Sequence, residues 1–259
     1  MLQAVKYLHR VGVGVTVPCL FVGNDGHTYV VKFKNNRLGA KVLVNEYLAA
    51  QLGKLAELCF PVSGLIEIPE QVIRQSVALR RRHVKPGVHF ASRYISHVQY
   101  LQHYHLPKIC NRQEIAGVIL FDHIMHNEDR TLNRKNMLVK REAAGYRFYA
   151  IDNSHLFGSG RWRNSRIIAL IDRVTINDRR AYGSLLRHYL TPDDFRPYID
   201  KFEAISQQQL TAVINSIPQE WLCDEPTREL LQQFIGKRCQ YATLIAERIF
   251  EKIPVKQTK

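Results

Sequence analysis

The order of acidic, amide and apolar residues between Asp122 and Asp152 restricts this chain more than any other feature. Asp122-His-Ile-Met-His-Asn127-Glu-Asp129-Arg130 comes first. Asn133-Arg-Lys-Asn136 then runs into the apolar Met137-Leu-Val, and a second apolar run, Tyr149-Ala-Ile, ends in Asp152-Asn-Ser154. A carboxylate in a polar turn, an amide at the mouth of one strand and a carboxylate at the end of the next are all oxygen donors. Such donors suit a hard divalent cation, and a turn carboxylate suits the proton of a hydroxyl. A turn Asp bonding its own backbone is the plain alternative for Asp129, and a strand-end cap is the plain alternative for Asp152. The ordered set favours chemistry over either.

The first fifty residues carry a second set. Thr28-Tyr-Val-Val-Lys32-Phe-Lys34 alternates as a half-buried strand does. Lys32 and Lys34 fall on the same face, and Lys34 suits the part of a solubilising edge lysine. Asn24-Asp25-Gly26 is a hairpin turn signal, with a strand from Pro18 to Val22 before it. Gly12 and Gly14 open a Val-rich run up to Thr16, where backbone can approach phosphate closely. Asn45 to Leu58 reads as a helix, with Leu48, Leu52, Leu55 and Leu58 on one face and Glu46 near its start.

Together these stretches resemble the HipA-like kinase family, in its short bacterial branch. The matches are Tyr29-Val-Val-Lys32-Phe-Lys, Asn45-Glu46-Tyr-Leu-Ala, Pro86-Gly87-Val-His89-Phe90-Ala-Ser92-Arg93-Tyr94, Asn127-x-Asp129-Arg130, Asn136-Met-Leu and Ile151-Asp152-Asn-Ser154. The resemblance implies an α+β, bilobal protein-kinase-like fold. Its N-lobe, residues 1–94, is small and mainly β with one long helix, and its C-lobe, residues 95–259, is larger and helical. It implies ATP and Mg²⁺ as cofactors and transfer of the γ-phosphoryl group to a hydroxyl, with a protein serine or threonine as the expected acceptor. Lys32 would clamp the phosphates with Glu46 aiming it, and Asp129 would be the catalytic carboxylate. Gly12, Gly14 and Thr16 would cover the phosphates, Phe90 and Arg93 would lie at the nucleotide hinge, and Asn136 and Asp152 would hold metal. In many kinase-like enzymes the metal amide lies five residues after the catalytic carboxylate, and that position is Arg134 here. Asn136 is favoured because it directly precedes a strand, and Asn133 is the fallback.

Composition sets the outer limits. The 259 residues suit one large or bilobal unit. No leader and no long apolar run is evident, so a soluble, cytoplasmic protein is expected. Five dispersed cysteines suit neither a disulfide framework nor a zinc site. The formal charge of +14 favours a polyanionic partner, a nucleic acid or an acidic protein. Its sources include Arg80 to Arg82, Arg161 to Arg166, Arg179-Arg180 and the tail from Lys252. His123 and His126 beside the acids raise a metal-dependent hydrolase as a rival, though without His-Glu-x-x-His spacing. The same residues and charge also suit a nucleotide- or nucleic-acid-binding module with little turnover, or a small-molecule kinase. His103 and His105 read as part of a solvated transition into a loop. Beyond Asp152 helices are expected at 167–174, 182–189, 193–202, 207–217 and 227–253, with Thr191-Pro192 and Asp224-Glu-Pro226 as helix starts.

Overall fold

The computed structural model describes residues 1–11 and 16–254. Gly12 and Gly14, expected over the phosphates, lie outside the described residues, as does the tail after residue 254.

The chain opens with β1 (Leu2–Arg10), β2 (Cys19–Gly23) and β3 (Thr28–Lys32). The first was not legible, because Leu2 to Arg10 lies mostly open to solvent and has no clean alternation. The Asn24-Asp25-Gly26 turn joins β2 to β3, with Gly26 in the left-handed region at φ 78°. Next come α1 (Lys41–Leu55), β4 (Ser63–Ile68), α2 (Glu70–Gln75), α3 (Val77–Arg81) and β5 (Gly87–Arg93).

The five strands close into a barrel in the order β1-β2-β3-β5-β4, with β4 parallel to β1. The sequence suggests a mainly β lobe with one long helix and a further helical run from Pro69-Glu70 to Arg82, and the barrel carries three helices beside it. Phe21, Val31, Phe33, Ile66 and Ala91 fill the barrel, and Val72, Ile73 and Leu79 of α2 and α3 pack against them. Ser76 breaks that helical run between α2 and α3 and caps Leu79 N at 3.3 Å.

The α1 helix differs from its expected one-sided stripe. Val42 to Ala49 are all buried, because the helix lies between the barrel and the C-terminal helices. The rest of the chain forms β6 (Val98–Tyr100), α4 (Arg112–Ile124), α5 (Asp129–Leu132), β7 (Met137–Glu142) and β8 (Gly145–Ala150). It continues with α6 (Asn164–Leu170), α7 (Arg180–His188), α8 (Pro192–Glu203), α9 (Gln207–Asn215), α10 (Glu225–Gln240) and α11 (Ala242–Phe250).

The central helix is α4, with every residue from Ile115 to Ile124 buried. Gly117 admits the Tyr198 ring of α8, whose atoms would lie 2.4 to 2.7 Å from an added Cβ. Pro192 and Pro226 start α8 and α10 as expected, with Thr191 and Asp224 as caps. The expected helix over 227–253 is broken at Tyr241, and the Thr243 hydroxyl of α11 bonds Glu203 at 2.6 Å. His105 is buried rather than solvated. It lies between Tyr104 and Tyr146, and its Nδ1 accepts from Gln102 N at 3.0 Å. No helix among the described residues is long and apolar enough to cross a membrane.

Candidate active site

Strand alternation sets the first half of the site. On β3, Tyr29 and Val31 face the barrel interior, while Val30 and Lys32 face a cleft of about 760 Å³. Lys32 pairs in register with Phe90 of β5, which also lines the cleft. Behind the strand, α1 supplies Glu46, and the Lys32 ammonium bonds its carboxylate in a buried ion pair. Lys34 leaves the strand instead and pairs with Glu220 at 2.6 Å.

A hairpin sets the second half. Met137 of β7 is in register with Ala150 of β8, so the chain just before β7 meets the chain just after β8. Ile151 N donates to Asn136 O at 3.0 Å, and Asn136 and Asp152 therefore flank one open end of the hairpin. The long sequence gap between them is the length of a hairpin. Asn136 Nδ2 donates to Asp129 Oδ2 at 2.6 Å, which joins the turn carboxylate to the same cluster. Asn133 has a different part: its Oδ1 accepts from Lys135 N at 3.2 Å and caps the turn ahead of Asn136.

Lys32 links the halves, since its Nζ also donates to Asp152 Oδ1 at 2.8 Å. Burial alone would push the ammonium down, but Asp152 and Glu46 outweigh it and hold Lys32 above its usual range. Burial works in the opposite sense on Asp152. Lys32 and the Ser154 hydroxyl overcome it and hold that carboxyl well below the ordinary carboxylate range. Glu46 is pushed up, by burial first and then by Asp152, so it is the weaker acid of the two. Asp152 sits at φ 58°, a left-handed conformation that is unusual outside glycine. Its side chain remains 36% exposed, open to the cleft.

Arg130, for which the sequence suggests no role, holds the two loops together. Its guanidinium is fully buried and bonds Asp122 at 2.8 Å, Ile151 O at 2.6 Å and the Asn153 side chain. Tyr182 and Asn127 complete the shell around Asp122. The available signal was Asp122 itself, an acid inside an apolar helix that needed a cation nearby.

Asn45 is a second residue of this kind. It is completely buried, donates to Ser154 O at 2.8 Å and accepts from Trp162 Nε1 at 2.7 Å, and so it pins α1 to the segment after Asp152. His155 faces Asp129 at 4.0 Å and bonds the Ser154 hydroxyl at 3.0 Å. His123 and His126 do not form a metal pair. His123 Nδ1 lies 2.7 Å from Ile119 O, and His126 Nε2 donates to Leu170 O at 3.1 Å.

All the described candidates line this one cleft: Thr16, Lys32, Glu46, Phe90, Arg93, Asp129, Asn136 and Asp152. The barrel, the all-round-buried helix and the lysine–glutamate–aspartate cluster define a kinase-like phosphotransferase. The chain belongs to the HipA-like kinase family, whose sequence profile matches residues 4–244.

Solved structures agree at the level of fold. The Helicobacter pylori proinflammatory kinase CtkA is similar with a TM-score of 0.58 at 12% identity, over 95% of this chain and 96% of that one. The Golgi casein kinase is similar with a TM-score of 0.51 at 11% identity, over 97% of this chain and 74% of that one. No curated protein matches the sequence.

Proposed function

We propose that the cleft binds ATP with Mg²⁺ between an N-lobe of residues 1–94 and a C-lobe of residues 95–259, and passes the γ-phosphoryl group to a serine or threonine hydroxyl of a protein. The observation that carries this reading is the continuous cluster Glu46–Lys32–Asp152 beside Asp129–Asn136 in one cleft. The donor set fits a hard cation. Asp152 is held ionised and open to the cleft, and Asn136, at the same hairpin end, has a side-chain oxygen that accepts from Asn133 Nδ2 at 3.3 Å. When bound there, Mg²⁺ neutralises charge on the phosphate oxygens.

The protein's own groups supply the rest. Lys32, aimed by Glu46, holds a positive charge against the phosphates. Asp129, steadied by Asn136, accepts the hydroxyl proton as the new phosphate ester forms. Thr16, Phe90 and Arg93 line the same cleft, where Thr16 would cover the phosphates and Phe90 and Arg93 would lie at the nucleotide hinge. The work is positioning and charge placement, which suits a loose phosphoryl-transfer transition state.

Two variants test the reading. ATP with Mg²⁺ raises the melting temperature of the parent protein, and Asp152→Ala removes the metal-dependent part of that shift. Equal shifts in both proteins would exclude Asp152 as a ligand. Asp129→Asn keeps nucleotide binding and lowers transfer from labelled ATP by roughly 10²–10⁴. Undiminished transfer would remove Asp129 from its role.

A further inference from the structure

A second cavity, of about 220 Å³, lies against the other face of the turn that carries Asp129. It shares no lining residue with the cleft. Glu128, Thr131 and Leu132 line the cavity, while Asp129 and Asn133 line the cleft. A single helical turn, α5, therefore separates the two spaces.

The far wall is the connection after α6, with Arg173, Ile176 and Arg179. Both arginines are exposed. Among the described residues the arginines that pair with carboxylates are Arg74, Arg130, Arg147, Arg196 and Arg248, and neither of these two. The nearest acids are committed or outnumbered. Asp172 pairs with Lys237 at 2.6 Å, and Asp122 is enclosed by Arg130, Asn127 and Tyr182. Glu128 is the exposed carboxylate at the rim, and Asp178 adjoins Arg179. Against these stand Arg173 and Arg179, with Arg180 beside them donating to Leu132 O at 2.6 Å.

The aliphatic lining is limited to Ile176 on the far wall and the 44% exposed Leu132 on α5, and Thr131, Thr175 and Asn177 supply polar groups between them. Tyr182, the one aromatic ring that lines the cavity besides its two histidines, is buried with its hydroxyl on Asp122, so it offers no face for a nucleobase. Two exposed guanidiniums beside hydroxyl and amide side chains suit a carboxylate side chain on a peptide.

We propose that this cavity docks an acidic side chain of the substrate protein close to the accepting residue. The inference rests on the phosphotransferase reading of the cleft. An extended peptide advances about 3.3 Å per residue, and a helix with its side chains is about 10–12 Å across. The docked acid then falls roughly three or four residues from the hydroxyl at Asp129. This gives one part of the +14 charge a specific task.

Binding is measured by fluorescence anisotropy, so that it does not depend on turnover. The probes are labelled serine peptides bearing glutamate about three or four residues from the serine, and the same peptides bearing glutamine. The protein is the full chain, as parent and as Asp129→Asn. Glutamate peptides bind roughly three- to tenfold tighter, as one or two partly exposed ion pairs allow, and the difference shrinks with salt. The preference disappears in Arg173→Ala/Arg179→Ala and returns in Arg173→Lys/Arg179→Lys, which separates lost charge from lost folding. Equal binding of both peptide sets, or a preference that survives the alanine pair, overturns the inference. An oligonucleotide that displaces the peptide through the same arginines and binds more tightly also overturns it, in favour of nucleic acid. Intact peptide preference without ADP formation from ATP and Mg²⁺ sinks the phosphotransferase reading and leaves the docking site standing.

Discussion

Asn136 and Asn133 show how much rests on single side chains. Both are amides within one loop, but Asn136 bonds Asp129 and adjoins Ile151, whereas Asn133 caps the turn. Asn136→Ala is expected to raise the Mg²⁺ concentration needed for half-maximal transfer and to slow transfer strongly. Asn133→Ala is expected to do much less. A magnesium titration of both variants checks the ranking, and the reverse order would give the metal to Asn133. Lys32 carries a separate expectation, because it is the cation between two carboxylates. Lys32→Met abolishes transfer and lowers stability by about 3–5 kcal/mol, the scale for stranding a buried charge. Adding Glu46→Gln recovers much of that stability in urea melts while transfer stays absent. A double variant no more stable than Lys32→Met would place the energetic burden elsewhere.

Elements meet the site through close contacts that single positions control. At the crossing of α4 and α8, Gly117 leaves room for the Tyr198 ring. This helix leads directly to the turn that carries Asp129. Gly117→Ala gains helix propensity, roughly 1 kcal/mol, but drives a methyl into the ring. Overpacking of this kind costs about 1–3 kcal/mol, so the net expectation is a lower melting temperature. Gly117→Ala with Tyr198→Leu relieves the clash and recovers part of the loss. A stabilised single variant would show that the two helices can separate freely. The hairpin β7–β8 is the opposite case. Its register alone sets Asn136 beside Asp152, and the apolar runs that form it could be read in the chain.

For the molecule as a whole, buried histidines set the acid limit. Burial pushes His126 down to about 3 and His89 down to about 4, from an ordinary value of 6.5. The unfolded chain then binds more protons than the folded one between those values and about 6.5, so stability rises with pH across that window. It is fully present above about pH 6.5 and is lost on the way down, by on the order of a few kcal/mol for the pair. Asp152 acts in the same sense at lower pH, because its folded value is depressed and its contribution is lost only as the pH falls through that value. Urea midpoints between pH 7 and 4 check this, and His126→Asn should flatten the slope. An unchanged slope would clear His126 of the effect. Part of this chain was legible in one dimension: the hairpin turn at Gly26, the strand that bears Lys32, the apolar runs of β7 and β8 and most helices are local patterns of alternation, capping and spacing, whereas the roles proposed for Lys32, Glu46, Asp129 and Asp152 came from the family resemblance. Tertiary structure alone decided the barrel closure through β1, the burial of α1 on every side, and the parts taken by Arg130, Asn45 and His155. The physical reason is range. A strand or cap depends on neighbours a few residues away, whereas a buried guanidinium or amide depends on partners from distant segments that only the folded chain brings within hydrogen-bond reach.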